Sequence, residues 1–244
     1  MIRPILLAVQ FLTRLPTPNL AAISDREIGL SQYYYPLVGL MIGVILSLSA
    51  LYITLPSSHL LAAIVLTTWV MLTGALHLDG LADCADAWVG GYGDKDKTLA
   101  IMKDPQSGPV AVTLVVCLLL LKFSAIEAVI TQQAWAALIL SPVLARSLLP
   151  LLFHTTRYVR SSGLGQALTQ HKSNTRHLLM QLLTVTLAVS LMGISALIVI
   201  FAALSVFFII RQLSIKRISG ITGDVAGTLV ELSEVIVLIA FLSL

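Results

Sequence analysis

Residues 73–93 read TGALHLDGLADCADAWVGGYG, and here an apolar run that begins near Leu60 turns acidic. No obvious breaker intervenes before Gly90-Gly91. The stretch is therefore expected to be one long helix projecting from a membrane. On that helix Asp79, Asp83 and Asp86 fall at i, i+4 and i+7, so three carboxylates stack along one face. Like charges at that spacing repel each other unless a cation sits among them. Oxygen-only ligands suit Mg2+, Mn2+ or Ca2+ rather than zinc. A solvated acidic helix end is the plain alternative to a metal site.

The composition settles the fold class. Of 244 residues, 57% are hydrophobic and 11% charged, with a mean hydropathy of +0.95; soluble domains carry roughly 25% charged residues. The chain reads as all-α: a polytopic integral membrane bundle forming a single catalytic domain, 1–244. Its two cysteines, Cys84 and Cys117, have no metal-ligand spacing and suggest no disulfide scaffold. The excess of base, 15 Lys+Arg against 12 Asp+Glu, is spread over several loops. That pattern fits membrane topology and not nucleic-acid binding.

Working outward from the acidic stretch, residues 1–13 are apolar but too short to span, since a crossing needs about 20 residues. They are expected to form an interfacial or half-inserted helix, and Arg14-Leu-Pro-Thr-Pro18 an extended segment. Tyr33–Leu55 opens with three tyrosines and carries Gly39 and Gly43 as a GxxxG packing face. Further spans are expected at Leu60–Leu76, Gly108–Ile130, Ala134–Phe153 and Val225–Leu244. The apolar run 178–210 would be about 50 Å of helix against a hydrocarbon core of about 30 Å. A break near Gly193–Ser195 would divide it. The bundle is expected to have about six transmembrane helices plus the amino-terminal helix. Basic residues gather in alternate loops, which places the amino terminus and the acidic stretch in the cytoplasm and the carboxyl terminus outside.

Ionisable residues inside spans are costly and need a reason. Arg146, between Pro142 and Pro150, is a candidate to hold a phosphate or to pair with a carboxylate. Asp224, Thr228 and Glu231 repeat the i, i+4, i+7 spacing, and Glu234 follows, so two acidic helices are expected to face one cavity. Lys122 and Glu127 are read as structural. His77, at the mouth, could donate to a phosphate oxygen or act as a base. Clustered carboxylates with a divalent metal, beside Arg14, Arg146, Arg157 and Arg160, suit a diphosphate, because metal and guanidinium groups both neutralise phosphate oxygens. Gly163, Gly165, Gly220 and Gly223 could let backbone N–H groups approach it.

Five segments together resemble the cobalamin synthase (adenosylcobinamide-GDP ribazoletransferase) family. They are Thr13-Arg14-Leu-Pro-Thr-Pro18, Gly74-x-x-His77-Leu-Asp79-Gly80-Leu-Ala-Asp83-x-x-Asp86, Met102-Lys103-Asp104, Tyr158-Val-Arg160-Ser-Ser-Gly163-Leu-Gly165, and Thr222-Gly223-Asp224 with Glu231 and Glu234. The resemblance implies a Mg2+-dependent enzyme of a bacterial or archaeal cytoplasmic (inner) membrane, acting late in vitamin B12 biosynthesis. Its reaction joins adenosylcobinamide-GDP to α-ribazole, or to α-ribazole 5'-phosphate, releasing GMP. Carried onto this chain, Asp79, Asp83, Asp86 and Asp224 would bind metal, with His77 among the catalytic groups. Arg14, Asp104, Arg146, Arg160, Gly223, Asp224, Glu231 and Glu234 would line the substrate. Other B12 biosynthesis enzymes are candidate partners on that face. A CDP-alcohol phosphotransferase would place Ala-Arg after its first Asp-Gly, whereas this chain has Leu81-Ala82-Asp83. A transporter would be expected to show repeated halves.

Overall fold

The computed structural model describes residues 2–160 and 164–244. The described residues form helices and no named strand. The chain opens with α1 (Ile2–Leu12) and α2 (Asp25–Ser31), which lead through one turn of 3-10 helix into α3 (Tyr35–Tyr52). With 11 residues, α1 is too short to cross a bilayer, as its sequence suggests; it buries Leu7, Ala8 and Leu12 against the bundle. A capping box starts α2: Ser24 accepts from Glu27 N–H while Glu27 accepts from Ser24 N–H.

The helices α4 (Ser58–Thr73) and α5 (Leu76–Gly90) are where structure and sequence part. In place of one projecting helix, the axis turns by 86°. The hinge is Gly74-Ala75, both left-handed at φ +62° and +57°. Gly74 closes α4 as a left-handed cap. A side chain there would meet Arg14, whose Nε lies 2.3 Å from where a Cβ would sit. The Arg14 N–H also donates to Leu72 O at 2.7 Å, so the segment after α1 is stitched to the bend. After the bend, α5 packs on α7 (Pro109–Thr131) and α12 (Gly223–Leu242), with short α6 (Lys95–Ile101) following it. Leu78 and Leu81 join Leu118 and Val235 in an apolar cluster. Asp79 is left exposed and Asp83 half-buried.

The innermost helix is α8 (Trp135–Thr155), buried along most of its length and packed against α3 and α12. Its approach to α3 explains the GxxxG face: a Cβ at Gly39 would come within 2.4 Å of Pro142 O, and one at Gly43 within 2.6 Å of the Ile139 Cα. The small residues serve packing within the chain.

Among the described residues, five helical runs are long and apolar enough to cross a membrane, or six with the bent pair as one crossing. One run, Asn174–Ile218, has 45 residues, about 68 Å at the helical rise and more than twice a bilayer core. After short α9 (Leu164–Gln170) it divides into α10 (Asn174–Met192) and α11 (Ala196–Ile218), at a 3-10 turn over Gly193–Ser195. Gly193 there takes φ +61°. The break falls where the sequence places it. Counting α10 and α11 separately gives up to seven runs among the described residues, against the six or so expected.

Candidate active site

A cavity of about 320 Å3 lies where α5 and the start of α12 meet α1, α3 and α8. Asp79, His77 and Gly80 enter from α5, and Gly223, Asp224 and Gly227 from α12. The two helices touch almost backbone to backbone. A Cβ on Gly80 would sit 2.9 Å from Asp224 O, and one on Gly227 3.0 Å from His77 O. Thr228 Oγ1 donates to Gly80 O at 3.1 Å across the crossing. This close approach brings Asp224 up to the acidic face of α5. Phe11, Tyr35, Phe153 and Tyr158 give the cavity an aromatic lining.

A short clip fixes the far wall. Val159 N–H donates to Ile221 O at 3.0 Å and Ile221 N–H to Arg157 O at 2.9 Å, a parallel bridge between the segments after α8 and α11. Gly220 permits it, since a Cβ there would come within 2.4 Å of Arg157 O. The clip delivers Arg160, whose Nη2 donates to Asp224 Oδ2 at 2.7 Å and to Met102 O at 3.2 Å. Thr222 caps α12 by accepting from Val225 N–H, and donates to Asp224 Oδ2 at 3.2 Å. Burial raises the Tyr158 phenol above its ordinary pKa, so it stays protonated and can donate. Beyond Tyr158 lies a polar cavity of about 610 Å3, bordered by Arg157, Arg160 and Lys172.

The three aspartates of α5 differ. Asp79 and Asp83 make no side-chain hydrogen bond or ion pair among the described residues, whereas Asp86 is committed. Its Oδ2 accepts from Gly108 N–H, and its Oδ1 from Ala111 N–H at 2.9 Å. Asp86 thus caps α7, where an anion complements the helix dipole. The described residues contain no preassembled group of three or more His, Cys, Asp or Glu suited to a metal ion. Two free carboxylates beside a third nevertheless fit Mg2+, which takes one or two carboxylates and completes its shell with water and phosphate oxygens.

Other expected site residues lie elsewhere. Arg146, Glu231 and Glu234 are not at the cavity but form a buried cluster with Lys122. Arg146 and Lys122 both pair with Glu234, and Lys122 pairs with Glu231 at 3.0 Å. Lys122 also sits 4.1 Å from the Trp69 ring centroid. From Asp224, Glu231 and Glu234 lie about 10 and 15 Å along α12, so only the first turn reaches the cavity. The expectation of two acidic helices facing one cavity therefore holds for Asp224 and fails for the two glutamates. Asp104 is exposed, accepts from Gln106 N–H, and does not line the cavity. Arg14 is exposed beside Gly74. His77 is buried at the cavity wall, its Nδ1 without a hydrogen-bond partner among the described residues. Gly163 lies outside the described residues. The aromatic wall carries no spacing signal, because it comes from three separate helices and a loop.

Fold and site together define a polytopic membrane protein with an acidic, arginine-bordered cavity at one end of its bundle. The family model for cobalamin-5-phosphate synthase matches residues 4–242, and the chain belongs to that family. It is 50% identical over 236 residues to an adenosylcobinamide-GDP ribazoletransferase of Stutzerimonas stutzeri (strain A1501), covering 97% of this chain and 96% of that one. The protein of the same name from Pseudomonas aeruginosa (strain PAO1) is 49% identical over 240 residues, 98% of this chain and 97% of the relative. No solved structure matches.

Proposed function

We propose that this chain is an adenosylcobinamide-GDP ribazoletransferase, joining adenosylcobinamide-GDP to α-ribazole or α-ribazole 5'-phosphate with release of GMP. The observation that carries the reading is near-full-length similarity to relatives of that name at about half identity, converging on a cavity with uncommitted carboxylates and an arginine. The reaction forms a bond from the ribazole hydroxyl oxygen to the phosphorus nearer cobinamide. It breaks that phosphorus's bond to the bridging oxygen, which leaves with GMP, and the hydroxyl proton passes to a base.

Asp79, Asp83 and Asp224 are the residues that would hold Mg2+; when bound, the ion neutralises phosphate oxygens as charge moves to the leaving group. Arg160 is placed to bind a diphosphate oxygen, and the Gly223 backbone leaves room for a phosphate at the start of α12. His77 or a carboxylate of the same wall accepts the hydroxyl proton. The aromatic wall suits the flat base of α-ribazole, and the polar cavity beyond Tyr158 suits the guanosine end. Phosphoryl transfer needs little beyond such positioning and charge stabilisation. The cavity opens to the cytoplasm of an inner membrane, where the loop charges favour it.

The test is direct. Purified protein in liposomes is given adenosylcobinamide-GDP, α-ribazole and Mg2+, and cobalamin and GMP are measured in equal amounts. Folded protein that forms neither product would sink the assignment.

A further inference from the structure

A cavity larger than that of the acidic site lies away from it. It is a groove of about 1020 Å3 between the start of α3 and the first half of α10. One end is polar and bears Arg26 and Arg176, the other is walled by Leu37, Leu179, Leu183 and Leu187. Leu179 and Leu183 are more than half exposed, and Leu37 is half exposed, on helices of crossing length.

Charge at the polar end is one-sided. Glu27 also borders the groove, but its carboxylate is occupied: it pairs with Arg3 at 2.7 Å and accepts from Ser24 N–H and Oγ, both at 2.9 Å. Neither Arg26 nor Arg176 has a side-chain hydrogen bond or ion pair among the described residues. Two uncommitted guanidinium groups therefore overhang an apolar trough. The trough also has a telling length. From Arg176 to Leu187 the helix rises about 16 Å, close to one leaflet of a core about 30 Å thick.

We propose that this groove holds one glycerophospholipid with an anionic headgroup, phosphate against Arg26 and Arg176 and acyl chain along the α10 leucines. Tyr33 and Tyr34 border the polar end, at the level where aromatic residues meet headgroups. A free phosphate would satisfy the arginines and leave the leucines uncovered; a zwitterionic lipid would bring an ammonium next to them.

The experiment extracts phospholipid from detergent-purified protein and compares its headgroup composition with that of the source membrane. The wild type is expected to retain about one anionic phospholipid per chain, enriched at least threefold over phosphatidylethanolamine. Added phosphatidylglycerol should raise the unfolding temperature where phosphatidylcholine and glycerol 3-phosphate do not. Arg26→Gln with Arg176→Gln should abolish both effects, and Leu183→Trp, which fills the trough, should lower retention while leaving turnover in place. Retained lipid that mirrors the membrane composition would overturn the proposal, as would stabilisation by glycerol 3-phosphate alone. The wild-type comparison decides the matter even where a variant fails to fold.

Discussion

Arg160 Nη2 and Asp224 Oδ2 stand 2.7 Å apart, joining the segment after α8 to the first turn of α12 at the edge of the acidic cavity. Both side chains are partly exposed, so the pair adds little to stability. Its importance is positional: the guanidinium is held beside carboxylates suited to a metal. Arg160→Ala is expected to lower kcat/KM for adenosylcobinamide-GDP about 100-fold, the scale of losing one donor that stabilises transition-state charge. Arg160→Lys should recover only part of this, because an ammonium cannot reproduce the planar fork. An unfolding temperature within a few degrees of wild type would confirm that the loss is chemical.

Asp79, Asp83 and Asp86 share one helix face and should separate by experiment. Asp79→Asn and Asp83→Asn remove charge from unpartnered carboxylates, so stability should hold or rise while Mg2+ activation shifts to higher concentration by at least tenfold. Asp86→Asn weakens the cap on α7 and should cost about 1 kcal/mol of stability, with a smaller change in the Mg2+ requirement. Equal metal dependence in all three variants would refute the division of roles. Titration with Mg2+ beside thermal unfolding reads both quantities.

Much of this was legible in the sequence because it rests on local rules. Hydropathy located the spans, the 178–210 length forced a break at Gly193, and the i, i+4, i+7 spacing held because α5 is helical across all three aspartates. The misses share a physical origin. Arg146 pairs with Glu234, one of the two roles expected of it, while Glu231 and Glu234 looked functional because a buried charge is costly alone. Their neutralising partner, Lys122, lies about a hundred residues from the glutamates, and spacing says nothing of that pairing. The bend at Gly74-Ala75 was hidden because glycine followed by alanine in an apolar run carries a weak stop signal, and Arg14 packs over the hinge from another segment.

The crossing of α5 and α12 depends on having no side chain at Gly227, where a Cβ would sit 3.0 Å from His77 O and 3.2 Å from its Cα. Gly227→Val adds bulk against backbone that cannot turn aside. The helices should part by about an ångström, moving Asp224 away from Asp79, and misplacement on that scale can cost about 100-fold in rate. Turnover should therefore fall far more than expression or helicity. Wild-type turnover in this variant would show that the contact does not set the site.

Orientation is testable with a single thiol. In a Cys84→Ser, Cys117→Ser background, Asp94→Cys should react with a membrane-impermeant maleimide only in inside-out vesicles, because the charged 90–107 segment is expected on the cytoplasmic face. A cysteine at Gln132, in the short turn between α7 and α8, should show the reverse. Labelling of both from one side would refute the alternation of crossings.

Glu234 is fully buried and accepts from both Arg146 and Lys122, while its own carbonyl accepts from Ser141 Oγ at 2.9 Å. The cluster balances two cations against two anions, binding α7, α8 and α12 at the bundle centre. Glu234→Gln leaves one positive charge uncompensated there, and breaking one partner of a buried pair costs about 3–5 kcal/mol. The variant should unfold at a markedly lower temperature, or fail to accumulate. Replacing an opposite-charge pair, Lys122→Met with Glu231→Gln, leaves Arg146 and Glu234 matched and should destabilise by less than the two single changes summed. Because the cluster lies outside the cavity, whatever Glu234→Gln protein stays folded at low temperature should bind adenosylcobinamide-GDP with a KM within about threefold of wild type, a difference below 1 kcal/mol. A KM raised tenfold or more with stability intact would instead return Glu234 to the substrate.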